Sequence, residues 1–367
     1  MPLWVAGGAF HVGYKDGSRG GRISGGVMRG QFTLMFRLGL GVLVGLISSH
    51  PAGAIEPGQS AQTKAGITLG ASAAPLPPGL YMIDNAFYYG FNLTGPGTAA
   101  ATVARGFAPE GAVNFLWYPG WTFLGGTYSA LAAFPFLAAS VAAVPSAGFP
   151  GVTFEGVHNS FIAPLRLQWN LGNGFFAQAG AGVYVPDGSI GGPLGDSSAG
   201  ADYFTFQPDF VLSYVKNGWN LTAYTYYEIN TRNERSGYTS GDIFHADLTA
   251  TKQFGKWTVG PVAYYVGQVS SDRSSATFDS TLSAVVPAPG GIHGFNAGRF
   301  DAFAVGGLVG YDFGAAGLTL YATNDVLSRS YGGNSGTPFV SEIPFTSETT
   351  TKGWTFFGRL IYRLSAP

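Results

Sequence analysis

The stretch TRNERSGYTSGDIFHAD, Thr231–Asp247, gathers Arg232, Glu234, Arg235, Asp242, His245 and Asp247 in a chain that otherwise avoids charge. Carboxylates beside an imidazole are a familiar donor set for a divalent metal. Asp242, His245 and Asp247 offer one, and the last two, spaced by two, share a face in an extended strand. The hairpin supplies no third convergent ligand, so neither a metal nor a cofactor is assigned. A second constellation is His158-x-Ser160. In a strand the imidazole would lie beside the hydroxyl as base to nucleophile. No phosphate-cradling glycine loop or nucleotide fingerprint accompanies either.

What these groups can do depends on what positions them. Only 11% of the 367 residues are charged, whereas 15% are aromatic and 57 are glycine. Soluble proteins carry about 25% charged residues and about 7% glycine. So few charges cannot cover a water-facing surface without leaving large apolar patches. Part of this chain is therefore expected to face something other than water. With no cysteine, disulfides, thiolate catalysis and Cys-based zinc sites are excluded. Residues 1–54 hold five basic residues and one acid, leaving the remainder at net −5, without the basic stripe that nucleic-acid binding needs.

Residues 28–54 read MRGQFTLMFRLGLGVLVGLISSHPAGA. Arg29 and Arg37 form a positive region, Leu38 to Ile47 an apolar run of ten, and Ala52-Gly53-Ala54 a small-x-small cleavage site. This is the pattern of a bacterial signal peptide cleaved after Ala54. Ten apolar residues cannot cross a ~30 Å hydrocarbon core as a helix. Residues 1–27 read as an upstream false start, with Met28 as initiator. Residues 55–79, rich in small residues and proline, read as a periplasmic N-terminal segment, an extended lead-in; either it or the loops could gate a narrow lumen. Residues 80–367 remain as one domain.

Within that domain period-two alternation recurs, the signature of strands with two unlike faces. Phe204, Phe206, Phe210, Leu212 and Tyr214 alternate with Thr205, Gln207, Asp209 and Ser213. Twelve such segments occur, near 80–93, 111–119, 124–137, 160–171, 174–185, 203–215, 218–230, 243–254, 256–269, 300–313, 316–327 and 353–364. Most reach the ~9–11 residues a tilted strand needs to span a bilayer. Short links at Gly172-Asn173, Lys216-Asn217, Gly255 and Gly314-Ala315 alternate with long ones at 94–110, 138–159, 186–202, 231–242, 270–299 and 328–352. An even strand count with short turns at one end and long loops at the other is the layout of an outer-membrane barrel. The fold class is therefore all-β, a transmembrane antiparallel β-barrel of about twelve strands, with short periplasmic turns and long extracellular loops. Pro164, Pro208 and Pro261 each remove a ladder donor and mark bulges or boundary shifts.

Parity then sorts the side chains. Asp84, Arg166, Asp209, Glu228, Asp247, Asp325, Arg359 and Arg363 take the lumen face, whereas Lys252 and Asp301 face lipid at strand ends, beside Lys216 in a turn. A charge at mid-membrane on the lipid face costs roughly 2–4 kcal/mol, and less at the ends. Tyr88, Tyr184, Tyr224, Tyr226, Tyr264 and Tyr321 take the inward parity. A tyrosine offers an apolar ring face and a hydroxyl, suited to weak binding of aromatic solutes. Wall packing is the competing role. The candidate solute path is thus Tyr88, Arg166, Tyr184, Asp209, Tyr224, Tyr226, Glu228, His245, Asp247, Tyr264, Tyr321 and Arg359. The same parity carried back from Arg166 sends His158 and Ser160 toward the lumen or the loop rim.

LPPGLY (76–81), FIAPLRLQW (161–169), VYVPDGSI (183–190), YFTFQPDFVLSYVKNGWNLTAYTYYEINTRN (203–233), YTSGDIFHADL (238–248) and VGPVAYYVGQVSSD (259–272) follow one another in order. On these motifs the chain resembles, over 76–364, the outer-membrane family described as involved in the meta-pathway of phenol degradation. It departs from the family's usual Gly-Asp at His158-Asn159-Ser160 and from Pro-Thr-Gly at Pro186-Asp187-Gly188. The resemblance implies a barrel passing small, often aromatic or hydrophobic compounds. The reading is a non-enzymatic channel working by passive diffusion. Outer-membrane lipid, a small-molecule solute and the barrel assembly machinery are its expected partners. The alternatives are a lipase-type hydrolase using His158 and Ser160, and a plugged structural or adhesive barrel.

Overall fold

The computed structural model describes residue 56 and residues 61–94, 105–141, 152–191, 198–285, 290–333 and 350–365. The false start and signal peptide expected over 1–54 lie outside the described residues. Fourteen strands follow in chain order: β1 (Gly79–Thr94), β2 (Arg105–Tyr118), β3 (Thr122–Phe123), β4 (Gly126–Val141), β5 (Val152–Val157), β6 (Ser160–Gly172) and β7 (Phe175–Val185). Then come β8 (Thr205–Lys216), β9 (Trp219–Asn230), β10 (Ile243–Phe254), β11 (Trp257–Gln268), β12 (Arg299–Asp312), β13 (Ala316–Tyr331) and β14 (Thr350–Ser365). One helix, α1 (Ala276–Val285), lies in the connection from β11 to β12.

Each long strand pairs antiparallel with its chain neighbours, and β1 pairs with both β2 and β14, which closes the ring. The result is a twelve-stranded barrel. Two short strands add to it: β3 forms a hairpin with the start of β4, and β5 extends the β6 side against the end of β4. Closure removes the unpaired edges that would be prohibitive in lipid. Among the described residues no helix is long and apolar enough to cross a membrane.

Residue type sets the faces. Phe204, Phe206, Phe210, Leu212, Leu221, Leu248, Leu320 and Phe356 are exposed on the outside, whereas Thr205, Gln207, Ser213, Thr222, Glu228 and Asp247 are buried inside. This inversion of a soluble protein is what a bilayer demands. The turns expected at the short-link end fall within a residue or two of expectation. Asn217-Gly218 joins β8 to β9 with both residues at positive φ, 53° and 79°, the twist that a two-residue hairpin needs.

Two irregularities move side chains between faces. In β6, Ala163 sits opposite Leu131 and Arg166 opposite Ser129, so Pro164 and Leu165 together face Ala130. That bulge reverses the parity: Phe161 and Ala163 point inward before it, Arg166 and Gln168 after it. Pro208 and Pro261 instead interrupt a ladder without shifting its register. In β13 a register shift leaves Val326 and Leu327 both exposed.

Candidate functional site: a lumen filled by the chain's own N-terminal segment

Residues 61–74 run inside the barrel, which corrects the expectation of a periplasmic segment over 55–79. The reason is chemical. A run of small residues exposes its backbone amides, and the β8–β10 wall presents carboxylates and hydroxyls to accept them. Glu228 accepts from the amides of Gln62 (3.0 Å) and Thr63 (2.8 Å). Asp247 accepts from the amides of Gly66 (3.1 Å) and Thr68 (2.9 Å) and from the Thr68 hydroxyl (2.6 Å). Thr249 and Ser213 take the amides of Gly70 (2.9 Å) and Ala73 (2.8 Å). The bonds to the Glu228 and Asp247 carboxylates are charge-assisted, a kind about twice as strong as neutral ones such as those to Thr249 and Ser213.

The segment turns repeatedly, with Ile67, Leu69 and Ala71 each bonded to the carbonyl three residues back. Gly66 and Gly70 make this possible at φ 83° and 84°. A Cβ on Gly66 would also approach the Tyr264 ring to 2.8 Å. The opposite wall is aromatic. Ala65 and Leu69 pack with Phe87, Tyr264, Leu308, Tyr321 and Phe357, where Tyr321 and Phe357 stack at 4.5 Å. Tyr321 donates to the Gly66 carbonyl at 2.7 Å, and Arg359 to the carbonyls of Leu69 (3.1 Å) and Ile67. Lys64 lies 3.3 Å from Glu110 and over the rings of Phe87 and Tyr89 at 5.0 and 4.7 Å.

The remaining candidates form the polar lining around this segment. Arg166 donates to the Tyr224 hydroxyl at 2.5 Å, and Asp209 accepts from Gln178 at 2.7 Å. The Tyr184 and Thr63 hydroxyls are bonded at 2.8 Å, and Tyr264 donates to Asp325 at 2.8 Å. His245 Nε2 lies 3.1 Å from Glu228 with its ring stacked on Tyr226 at 4.4 Å. Neither ring nitrogen makes an aligned hydrogen bond, so the contact is a close approach rather than a directed bond. Eleven of the twelve candidates thus belong to the lumen.

Tyr88 does not. It is 45% exposed on the outer face, while Phe87 and Tyr89 are buried inside. Reading Asp84 as luminal set the wrong parity for β1. Asn85 is the inward residue and accepts from Arg359 at 3.2 Å, so Asp84 faces outward near the periplasmic end of the strand. Three adjacent aromatics, Phe87 to Tyr89, offer no alternation to decide the matter. Tyr89, Glu110, Gln168, Gln178 and the segment residues Thr63, Lys64 and Thr68 were absent from the candidate path. Glu110 falls one residue before the expected start of its strand, and the segment carries no strand signal at all.

Neither alternative chemistry assembles. Asp242 bonds to Tyr227 at 3.3 Å on the outer side, away from His245 and Asp247. Among the described residues no group of His, Asp or Glu is arranged to hold a metal. The β6 bulge puts Ser160 on the parity of the outward Ile162; its amide binds Asp187 at 2.7 Å, while His158 packs edge-on to Tyr184 at 6.1 Å. The charge-dense stretch instead builds the extracellular mouth. Glu56 accepts from Asn233 (2.8 Å) and Ser236, and Asp272 from Tyr238 (2.8 Å), Gln268 (2.6 Å) and the Gly241 amide (2.7 Å). Burial pushes the Glu56 carboxyl up to about 8 and that of Asp272 to about 7.

A closed twelve-stranded barrel with an apolar exterior and a polar interior defines an outer-membrane barrel protein. Residues 91–337 match the family model "Putative MetA-pathway of phenol degradation", and the chain belongs to that family. The fold is similar to that of the COG4313 outer membrane channel from Pseudomonas putida F1, at 11% identity and a TM-score of 0.60, covering 78% of this chain and 96% of that one. The β domain of the Bordetella autotransporter BrkA is a looser likeness, at 14% identity and a TM-score of 0.39, covering 78% of this chain and 100% of that one. Among curated proteins none matches the sequence.

Proposed function

We propose that this protein is an outer-membrane channel that passes small aromatic or hydrophobic compounds by passive diffusion. The observation that carries the reading is the composition of the lumen wall. Tyr184, Tyr224, Tyr226, Tyr264 and Tyr321 line it beside opposed charges, Arg166 and Arg359 against Asp209, Glu228 and Asp247. Rings give a planar solute weak stacking, and hydroxyls and charges exchange hydrogen bonds with any polar substituent. Family membership supports the solute class, and the solved channel of like fold is itself described as an outer membrane channel. Among the described residues there is no energy-coupling module, and movement of solute down its gradient is the mechanism proposed; no catalytic step is assigned. Cleavage after Ala54 would leave a mature chain beginning at Ile55, delivered to the membrane by the barrel assembly machinery.

Because residues 61–74 fill the lumen, transport requires that segment to yield or shift. Its anchorage by directed bonds to wall side chains makes such a shift possible without breaking the wall ladder. The plugged-barrel alternative draws on the same occupancy, and flux separates the two. Liposomes holding the protein are expected to take up a small phenolic or monoaromatic solute faster than protein-free liposomes, and faster than they take up a sugar. Equal rates with and without protein would leave only the plugged, structural reading.

A further inference from the structure

Three hairpins at the short-turn end turn through successive residues at positive φ, with different chemistry. Asn173-Gly174 and Asn217-Gly218 turn with both residues at positive φ, 54° and 92° in the first, 53° and 79° in the second. Asparagine and glycine adopt that conformation most readily. The β3–β4 turn places Leu124 and Gly125 there instead, at φ 49° and 76°. A leucine in the left-handed region brings its Cβ against the following carbonyl, a conflict that glycine avoids. Its side chain is 75% exposed. A strained backbone that holds out a bare apolar side chain points to a surface that the side chain must touch.

The surroundings say which surface. Trp121 stacks on Tyr128 at 5.7 Å and meets Trp117 edge-on at 5.2 Å. Trp169 donates from its indole nitrogen to the Leu124 carbonyl at 3.0 Å, and a Cβ on Gly126 would stand 2.9 Å from that nitrogen. The tip is thus buttressed, and Trp121 and Phe123 beside it are more than half exposed. Trp117 continues the outward face of β2, so the platform is continuous with the lipid-facing wall. Residues 119–127 contain no charged residue, whereas Lys216 and Lys252 flank the β8–β9 turn, beyond the β6–β7 turn along the barrel rim, with Lys252 donating to the Asn217 carbonyl. Clustered Trp and Tyr next to apolar tips are the chemistry of the membrane–water boundary.

We propose that the β3–β4 turn is a membrane anchor: Phe123 and Leu124 enter the periplasmic leaflet's phospholipids, with Trp117, Trp121, Tyr128 and Trp169 as the interfacial platform. The anchor fixes one side of the barrel in depth, while the β8–β9 turn, flanked by Lys216 and Lys252, stays in water. This inference rests on the outer-membrane reading, and one experiment separates the two. The chain has no cysteine, so single cysteines at Leu124, Asn217 and Phe210 can each carry an environment-sensitive fluorophore in the refolded, full-length protein in liposomes. Phe210 lies exposed on the outer face of β8 and reports whether the barrel sits in lipid at all. Nitroxide-bearing phospholipids are expected to quench the label at 124 several-fold more strongly than the label at 217, and comparably to that at 210. Quenching at 210 with none at 124 overturns the anchor and leaves the barrel. A label at 124 shielded from water yet unquenched by lipid also overturns it, in favour of a protein partner. Loss of quenching at 210 itself would sink the membrane reading.

Discussion

The two walls of the lumen hold the same peptide by opposite means. On the β8–β10 side, Glu228, Asp247, Thr249 and Ser213 accept backbone amides one after another. On the β11–β1 side, Tyr264, Tyr321, Phe357 and Phe87 pack against Ala65 and Leu69. The first wall takes chiefly backbone amides, with the Thr68 hydroxyl beside them; the second takes small apolar groups, with Tyr321 and Arg359 holding backbone carbonyls at its rim. An apolar solute competes only with the second. The aromatic wall is therefore where a solute would displace the segment, and the carboxylate wall is the tether that returns it.

The largest effect is expected from Asp247→Ala, which strands two amides and a hydroxyl that Asp247 now accepts. Hydrogen bonds to a charged group contribute roughly 1.5–3 kcal/mol each, so losing the three weakens docking by about 4.5–9 kcal/mol. The rate at which a thiol reagent modifies Ile67→Cys checks this. Labelling as slow as with Asp247 present would show that the carboxylate wall is no tether. Leu69→Ala comes next, at about 2–4 kcal/mol for the cavity left among the rings. It should speed both thiol labelling and aromatic-solute flux, whereas Asp247→Ala should speed sugars too. If both variants open the pore to sugars alike, the division of labour between the walls is wrong.

The smallest expected effect is at the mouth, where Glu56 and Asp272 meet the 231–242 loop. Both carboxyls titrate above their ordinary range because burial disfavours the charged form. The folded mouth therefore binds more protons than the unfolded one. Its stability is greatest below about pH 4 and is lost as pH rises, up to about 7 for Asp272 and 8 for Glu56. Hydrogen exchange in residues 231–242, corrected for intrinsic rate, should be slower at pH 5 than at pH 8.5. Glu56→Gln should flatten that difference, and an unchanged profile would exclude Glu56 as its source.

Much of the wall was legible in the sequence because lipid imposes alternation. Phe204 to Tyr214 shows its two faces directly, and the twelve expected segments match the twelve wall strands. Where alternation fails, legibility fails with it. Phe87-Tyr88-Tyr89 can be threaded in either parity, and only the pairing with β14 decides. Pro164 announces an irregularity, but not that it reverses the faces of β6. The luminal segment is only half legible: residues 55–79 read as a lead-in able to gate the lumen, but nothing in them fixes 61–74 inside the wall. Its bonds run from amides, which every residue but proline carries, so KAGITLGA (64–71) contains little that marks it as a lumen filler. In retrospect Gly66 and Gly70, four apart around Leu69, are the trace of its turns. The acceptors Glu228 and Asp247 were visible as inward charges without a visible purpose.

The central claim is that the chain's own residues 61–74 keep an otherwise passable lumen narrow. Single-channel conductance in planar bilayers, comparing the intact protein with a variant lacking 61–74, tests it most directly. The deletion is expected to raise conductance several-fold while the barrel keeps its heat-modifiable mobility on a denaturing gel. A folded deletion variant with the intact protein's conductance would contradict the account.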